Sequence, residues 1–198
     1  MKLYHGTNCS SAKDILKNGI CLQHSKPFLD FGPGFYTTPS YDHAALTAIR
    51  KTRKYNARYK QHEEPYIVEL DFRPINGVKL STVAYQRHSE KWGRFVLNNR
   101  LTPDILSAYN RLEHNQDAKY DVCYGEIADG KIVNKAYMVN NGLIMPEEVD
   151  YNDFIKNNRD VYPQQYSFHT LKAVSCIKVI CCATINNKEK YFKLIGRR

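Results

Sequence analysis

No stretch of this sequence approaches the roughly 18 consecutive apolar residues that a membrane-spanning helix requires, so no bilayer-crossing helix is expected. The opening residues lack the basic, apolar and small-residue succession of a secretory signal, and the chain is expected to work in the cytoplasm, away from any membrane. Acidic residues are in deficit: 20 Asp and Glu stand against 29 Lys and Arg, a formal charge of +9. That balance favours anionic partners such as nucleic acid, a dinucleotide or an acidic protein surface, without choosing among them. The six cysteines, Cys9, Cys21, Cys123, Cys176, Cys181 and Cys182, lack both paired C-x-x-C metal spacing and the density of a disulfide scaffold. They are read as reduced, mostly buried thiols. With no internal repeat and no low-complexity linker, the 198 residues are read as one domain.

What is present is a mixture of short strands and helices. A strand is expected over Leu3 to His5, then a helix from Ser11, with Asp14 completing an S-x-x-D capping box and Gly19 ending it. The text "PFLDFGPGFYTT" combines a glycine-rich turn with a short strand, and a helix follows from Ser40. "PYIVELDF" alternates as a half-buried strand does. Trp92, Phe95 and Val96 fall at i, i+3 and i+4 on one helical face and are assigned to the core. "TPDILSAYNRLE" reads as a helix with Thr102 as N-cap and Pro103 in the first turn. "YDVCYGEIADG" reads as a strand entering a turn at Asp129 and Gly130. A helix is expected from Pro146 to Asn158, a strand at "QQYSFH", and a central strand at the β-branched "IKVICCATI". Irregular mixing without βαβ spacing gives an α+β fold class.

Two features carry chemistry. The helix after Ser40 ends in Arg50, Lys51, Arg53, Lys54, Arg58 and Lys60, with Tyr55 and Tyr59 between them. Cations late in a helix suit its dipole, which makes a solvated face sufficient explanation; interleaved tyrosines also suit a phosphate backbone with exposed bases. The second feature is His5-Gly6-Thr7 at a strand end, where a glycine lets a ligand approach the backbone beside an imidazole.

Set side by side, "YHGTNCSSAKDILKNGI" and "DFGPGFYTTPSYDHAA" resemble the NAD-binding half of the ADP-ribosyltransferase fold of the toxin and poly(ADP-ribose) polymerase type. The shared features are a strand ending in His-Gly-Ser/Thr, a helix closing as Ile15-Leu16-Lys17-Asn18-Gly19-Ile20, and a G-x-G-hydrophobic-Tyr strand over Gly32 to Tyr36. The similarity extends to a bacterial family of ADP-ribosyltransferase-like proteins of uncharacterised function. Its phrases D-F-G-x-G-F-Y-T-T, W-x-x-F-V-x-x-N-R, Y-D-x-x-x-G-x-x-A-D and Q-x-S-F-H-T stand here at Asp30 to Thr38, Trp92 to Arg100, Tyr120 to Asp129 and Gln165 to Thr170.

The resemblance implies a split β-sandwich with surrounding helices and a mono-ADP-ribosyltransferase. NAD would be the co-substrate, nicotinamide would be released, no metal would be needed, and the acceptor would be protein or nucleic acid. It implies a catalytic set of His5, Tyr36 and Gln165, with His5 on the ribose, the Gly6 backbone on the carboxamide and Tyr36 stacked on the nicotinamide. Thr7, Asp30, Gly34, Phe35, Thr37 and Phe168 would complete the NAD-binding residues. A toxin with an antitoxin partner, or an effector, is compatible with such an activity. Cleavage of the nicotinamide bond builds positive charge on the sugar, so the protein must hold the sugar and stabilise that charge.

Two departures from the pattern stand out. Gln165 occupies the place of a glutamate and offers only a neutral hydrogen bond; Asp121, Glu126 and Asp129 are candidates for a replacement carboxylate, with solvated hairpin acids as the alternative. Thr47 stands where related enzymes carry a second stacking tyrosine. His169 is read as packing and local bonding, with support of the pocket as the alternative. Beside the transferase, two other readings stay open: a catalytically silent NAD- or ADP-ribose-binding module, and a basic nucleic-acid-binding domain on the same fold.

Overall fold

The computed structural model describes residues 1–85, 89–109, 112–128, 130–152 and 163–195. The chain divides into two compact units of interleaved segments: Met1–Cys21, Tyr36–Val78 and Val174–Arg198 in one, Leu22–Phe35 and Lys79–Ala173 in the other. Strands and helices mix irregularly in both, so the α+β class stands.

In the first unit, β1 (Lys2–Asn8), β3 (Pro65–Phe72) and β7 (Ile177–Thr184) form an antiparallel sheet in the order β1-β3-β7. The strand expected to be central is therefore an edge, and β3 takes the middle. Composition misled here: the β-branched run of β7 leaves Ile180 and Cys181 exposed, whereas Val68 and Leu70 of β3 are fully buried.

Helix α1 (Cys9–Asn18) begins two residues before the expected start, because Asn8 and not Ser11 is the N-cap: its side-chain oxygen accepts from the Ser11 N–H at 3.0 Å. Gly19 closes α1 at φ +85°, as expected of a residue in left-handed backbone. Helix α2 (Tyr41–Tyr59) is capped by Ser40, whose hydroxyl accepts from the His43 N–H at 3.2 Å. Its inner face of Ala44, Ala45, Ala48 and Ile49 packs with Ile67, Ile185 and Tyr191. These small residues bring α2 close to β1. A Cβ built on Gly6 would stand 2.0 Å from the Ala44 carbonyl oxygen, so helix contact, rather than ligand approach, is what forbids a side chain there. The unit ends in a helix over Lys188–Ile195, where no helix is expected from the sequence.

In the second unit, β6 (Gln164–Phe168) pairs antiparallel with β5 (Val122–Glu126), which pairs in parallel with the short β4 (Thr82–Ala84). The short β2 (Phe35–Thr37) is where the chain passes between the units. Phe31, Tyr85 and Phe95 form a buried ring cluster with centroids 5.2–6.4 Å apart. Helix α3 (Glu90–Asn99) buries Trp92, Phe95 and Val96 as its spacing predicts. Helix α4 (Pro103–Ala108) starts after Thr102 as expected, but Thr102 makes no side-chain cap bond and the helix stops at Ala108, short of the expected end at Glu113.

Two further expectations fail in this unit. Gly130 opens a helix, α5 (Gly130–Asn140), instead of closing a hairpin turn. Asp129 lies outside the described residues. The helix expected from Pro146 is a single 3₁₀ turn over Pro146–Glu148, and the expected span beyond Asn152 lies outside the described residues.

Candidate functional site

Strand β1 places His5, Gly6 and Thr7 in the first unit, and β2 brings Tyr36 beside His5. The His5 Nδ1 lies 2.6 Å from the Tyr36 carbonyl oxygen. A carbonyl only accepts, so Nδ1 carries the hydrogen and donates. Burial of the ring, followed by the charge of Lys51, pushes the His5 pKa down to about 3. The imidazole is therefore neutral near pH 7, and Nε2 is its lone-pair nitrogen, of the right character to accept from a sugar hydroxyl.

The backbone edge beside it is equally specified. Tyr4 and Thr38 exchange two backbone bonds, Tyr4 N–H to Thr38 O at 2.8 Å and Thr38 N–H to Tyr4 O at 2.9 Å. Along an antiparallel strand, N–H and C=O alternate in direction residue by residue. Gly6, two residues on from Tyr4, thus presents both groups to the same edge of β1, one residue from His5. A donor and an acceptor side by side match the two ends of a carboxamide. Thr7 and Thr37 are buried, Tyr36 is half-buried, and Thr47 sits on α2 with its hydroxyl 3.4 Å from His43 Nε2.

The remaining expected residues, Asp30, Gly34, Phe35, Gln165 and Phe168, belong to the second unit. Gln165 is 7% exposed and its Nε2 donates to Asp30 Oδ2 at 2.7 Å. Asp30 is a hub. The same Oδ2 accepts from the Ala128 N–H at 3.1 Å, and Oδ1 accepts from Arg100 Nε at 3.1 Å and from its Nη2. Both carboxylate oxygens are thus engaged by protein donors, and the Gln165 amide is held at one end.

Gly34 lacks a side chain for a local reason: a Cβ there would stand 2.7 Å from His169 Nδ1. His169 Nδ1 donates to the Pro33 carbonyl at 2.6 Å, and the Ser167 hydroxyl lies 2.8 Å from Nε2. Burial lowers its pKa, so this histidine is neutral and ties the Gly32-Pro33-Gly34 turn to the end of β6. Ser25 fastens the same turn, its hydroxyl accepting from the Gly34 N–H at 2.6 Å. Phe168 is fully buried.

Register separates the candidate carboxylates. Gly125 pairs with Gln165 and Glu126 with Gln164, so Glu126 and Gln165 project from opposite faces of the β5–β6 pair. Glu126 is buried, with Gln164 Nε2 at 3.3 Å, on the face where the rings of Tyr124 and Tyr166 lie 4.4 Å apart. Asp121 is committed to structure: it accepts from the Ser81 N–H at 2.7 Å and the Thr170 hydroxyl at 2.5 Å, and pairs with Lys172 at 2.6 Å. Burial works to raise its pKa, but these partners outweigh it and hold the carboxyl below its usual range.

Arg100 was missed as a site residue although it closes the quoted W-x-x-F-V-x-x-N-R phrase; a lone arginine in a motif otherwise explained by helix packing was the available signal. Among the described residues no group of three or more His, Cys, Asp or Glu could hold a metal ion, and no helix is long and apolar enough to cross a membrane.

No curated protein and no solved structure matches the chain. Residues 1–179 match the family described as "Protein of unknown function (DUF3990)", and because that match covers most of its length, the chain belongs to this family.

Proposed function

We propose that this protein is a mono-ADP-ribosyltransferase, built on an ADP-ribosyltransferase-like split β-sandwich, that transfers ADP-ribose from NAD to a macromolecular acceptor. The observation that carries this reading is the arrangement on β1: a neutral His5 fixed in one tautomer by Tyr36, next to a glycine whose N–H and C=O face one edge together. Those groups suit the ribose hydroxyl and the carboxamide of a nicotinamide riboside.

In the reaction the bond between the sugar C1′ and the nicotinamide nitrogen breaks, and its electron pair neutralises the pyridinium. An acceptor heteroatom bonds C1′ and loses its proton to solvent or a base. A neutral His5 adds no positive charge beside the developing oxocarbenium, which a protonated imidazole would destabilise. Tyr36 supplies a ring for the departing nicotinamide. Gln165, anchored within the second unit through Asp30 and Arg100, carries a neutral amide of the kind that can bond a hydroxyl.

The engagement of the Gln165 amide by Asp30 also favours a second reading, an NAD- or ADP-ribose-binding module without turnover. One experiment separates them. Purified protein is incubated with labelled NAD and cell lysate, while nicotinamide release is followed by chromatography. Label on lysate components, lost in His5→Ala and Tyr36→Ala and weakened in Gln165→Ala, is the transferase result. Saturable NAD binding with no nicotinamide release is the module result, and absence of both refutes the NAD reading altogether. Comparing Glu126→Gln with Gln165→Ala tells which face of the β5–β6 pair serves the chemistry.

A further inference from the structure

We infer that the C-terminal half of α2 is a binding surface for single-stranded nucleic acid. The inference goes beyond the transferase reading and does not need it; under that reading, the surface would hold the acceptor. Arg50, Lys51, Arg53, Lys54, Arg58 and Lys60 are all exposed along this half of the helix and its cap. Among the ion pairs between described residues, none involves Arg50, Lys54, Arg58 or Lys60.

Of the acids nearby, Glu63 accepts from the Ser10 N–H at 3.0 Å, Glu64 pairs with Lys188, and Asp42 takes Lys190 and the Tyr191 hydroxyl, so none of the three forms an ion pair with these four cations. A solvated helix face explains exposed cations, but it does not explain exposed aromatics among them. Tyr59 is 52% exposed and Tyr55 half-buried, and their rings lie 4.8 Å apart. The Arg58 guanidinium lies 5.3 Å from the centre of the Tyr59 ring.

Helix geometry orders these groups. Arg50, Lys54 and Arg58 follow one another at four-residue steps of about 6 Å rise, and Lys51, Tyr55 and Tyr59 form the adjacent row. A row of cations beside a row of stacking rings is the combination that tracks a phosphate backbone and accepts unpaired bases. A duplex hides its base faces and would leave the tyrosines without partners, and a run of carboxylates has no flat rings to stack. The surface is also rigidly tied to β1. Ala44 and Ala48 of the same helix meet Gly6, and Tyr59 lies about 16 Å along the axis from Ala48, at 1.5 Å per residue.

The test is fluorescence anisotropy with labelled single-stranded oligonucleotides, the matching duplex and polyglutamate, over a salt series and without NAD. The expected result is preferential single-strand binding, with log K falling against log salt at a slope of roughly −2 to −3, as for three or four phosphates neutralised. Tyr59→Ala should weaken binding by roughly fivefold to a hundredfold at an unchanged salt slope. The Lys54→Gln, Arg58→Gln double variant should flatten the slope by about 1.4. Both variants touch exposed side chains, and unchanged circular dichroism and melting temperature certify the fold. Equal affinity for single strand and duplex, indifference to Tyr59→Ala, or preference for polyglutamate would each overturn the proposal. Because NAD is absent, its failure is independent of any failure of the transferase reading.

Discussion

Replacing Asp30 by alanine should cost this protein about 4 kcal/mol of stability. The carboxylate accepts from Gln165 Nε2, the Ala128 N–H and two nitrogens of Arg100. Breaking a buried ion pair by removing one partner costs about 3–5 kcal/mol, because the remaining charge is left uncompensated. The Arg100 side chain is 20% exposed, so water relieves part of that penalty and the lower half of the range applies. Two donors stranded at the same time, each costing about 1–3 kcal/mol and not additively, bring the total back to about 4 kcal/mol. At about 2–4 °C per kcal/mol for a chain of this size, the melting temperature should fall by roughly 8–16 °C. Trp92 is the only tryptophan, its indole N–H donates to the Glu126 carbonyl at 3.1 Å, and it lies in the same unit as Asp30. Urea denaturation followed by its fluorescence therefore reads the affected region. Asp30→Leu combined with Arg100→Met, which removes both charges, should recover at least half the loss. A loss below about 1 kcal/mol in Asp30→Ala would show that the carboxylate is no hub, and the account of how Gln165 is held would go with it.

Further outcomes follow from the same structure. Gly6→Ala drives a methyl into the Ala44 carbonyl and should destabilise by about 3 kcal/mol or more, whereas Gly130→Ala, with nothing within 4 Å, should be neutral or slightly stabilising by urea titration. His5, His43 and His169 all have folded pKa values below the free one, chiefly through burial. Their contribution is fully present above about pH 6.5 and is lost as pH falls toward the folded values, at up to about 1.4 kcal/mol per unit and group. The urea midpoint should drop between pH 6.5 and 4, and a flat midpoint over that window would contradict the burial of these rings. A thiol reagent should label the exposed Cys21 and Cys181 first, and the buried Cys123 and Cys176 only on unfolding, as read by mass spectrometry.

Legibility in the sequence tracked local physics. Strand β3, helix α3 and the Gly19 stop were readable because alternation, helical spacing and left-handed backbone are properties of a few neighbouring residues. The edge position of β7 was not, since order within a sheet depends on partners distant in sequence. The sequence suggests room for a ligand at Gly6, whereas the contact that requires the glycine comes from Ala44, on a helix no local rule connects to β1. For the site, the resemblance names His5 and Tyr36, and the structure shows a hydrogen bond from the His5 ring to the Tyr36 backbone carbonyl. The bond between Asp30 and Gln165 spans 135 positions, beyond the reach of any motif.

Connectivity of the first sheet imposes an order on synthesis. Strand β3 ends at Phe72, yet its second neighbour, β7, begins only at Ile177. At about 5–20 residues per second, β3 waits on the order of 5–20 s with one hydrogen-bonding flank unoccupied. Through that interval the nascent chain exposes a ready template for foreign strands, and crowded expression should penalise it accordingly. Slower translation downstream of Phe72 should lengthen the hazard, and a chaperone that shields open flanks should shorten it.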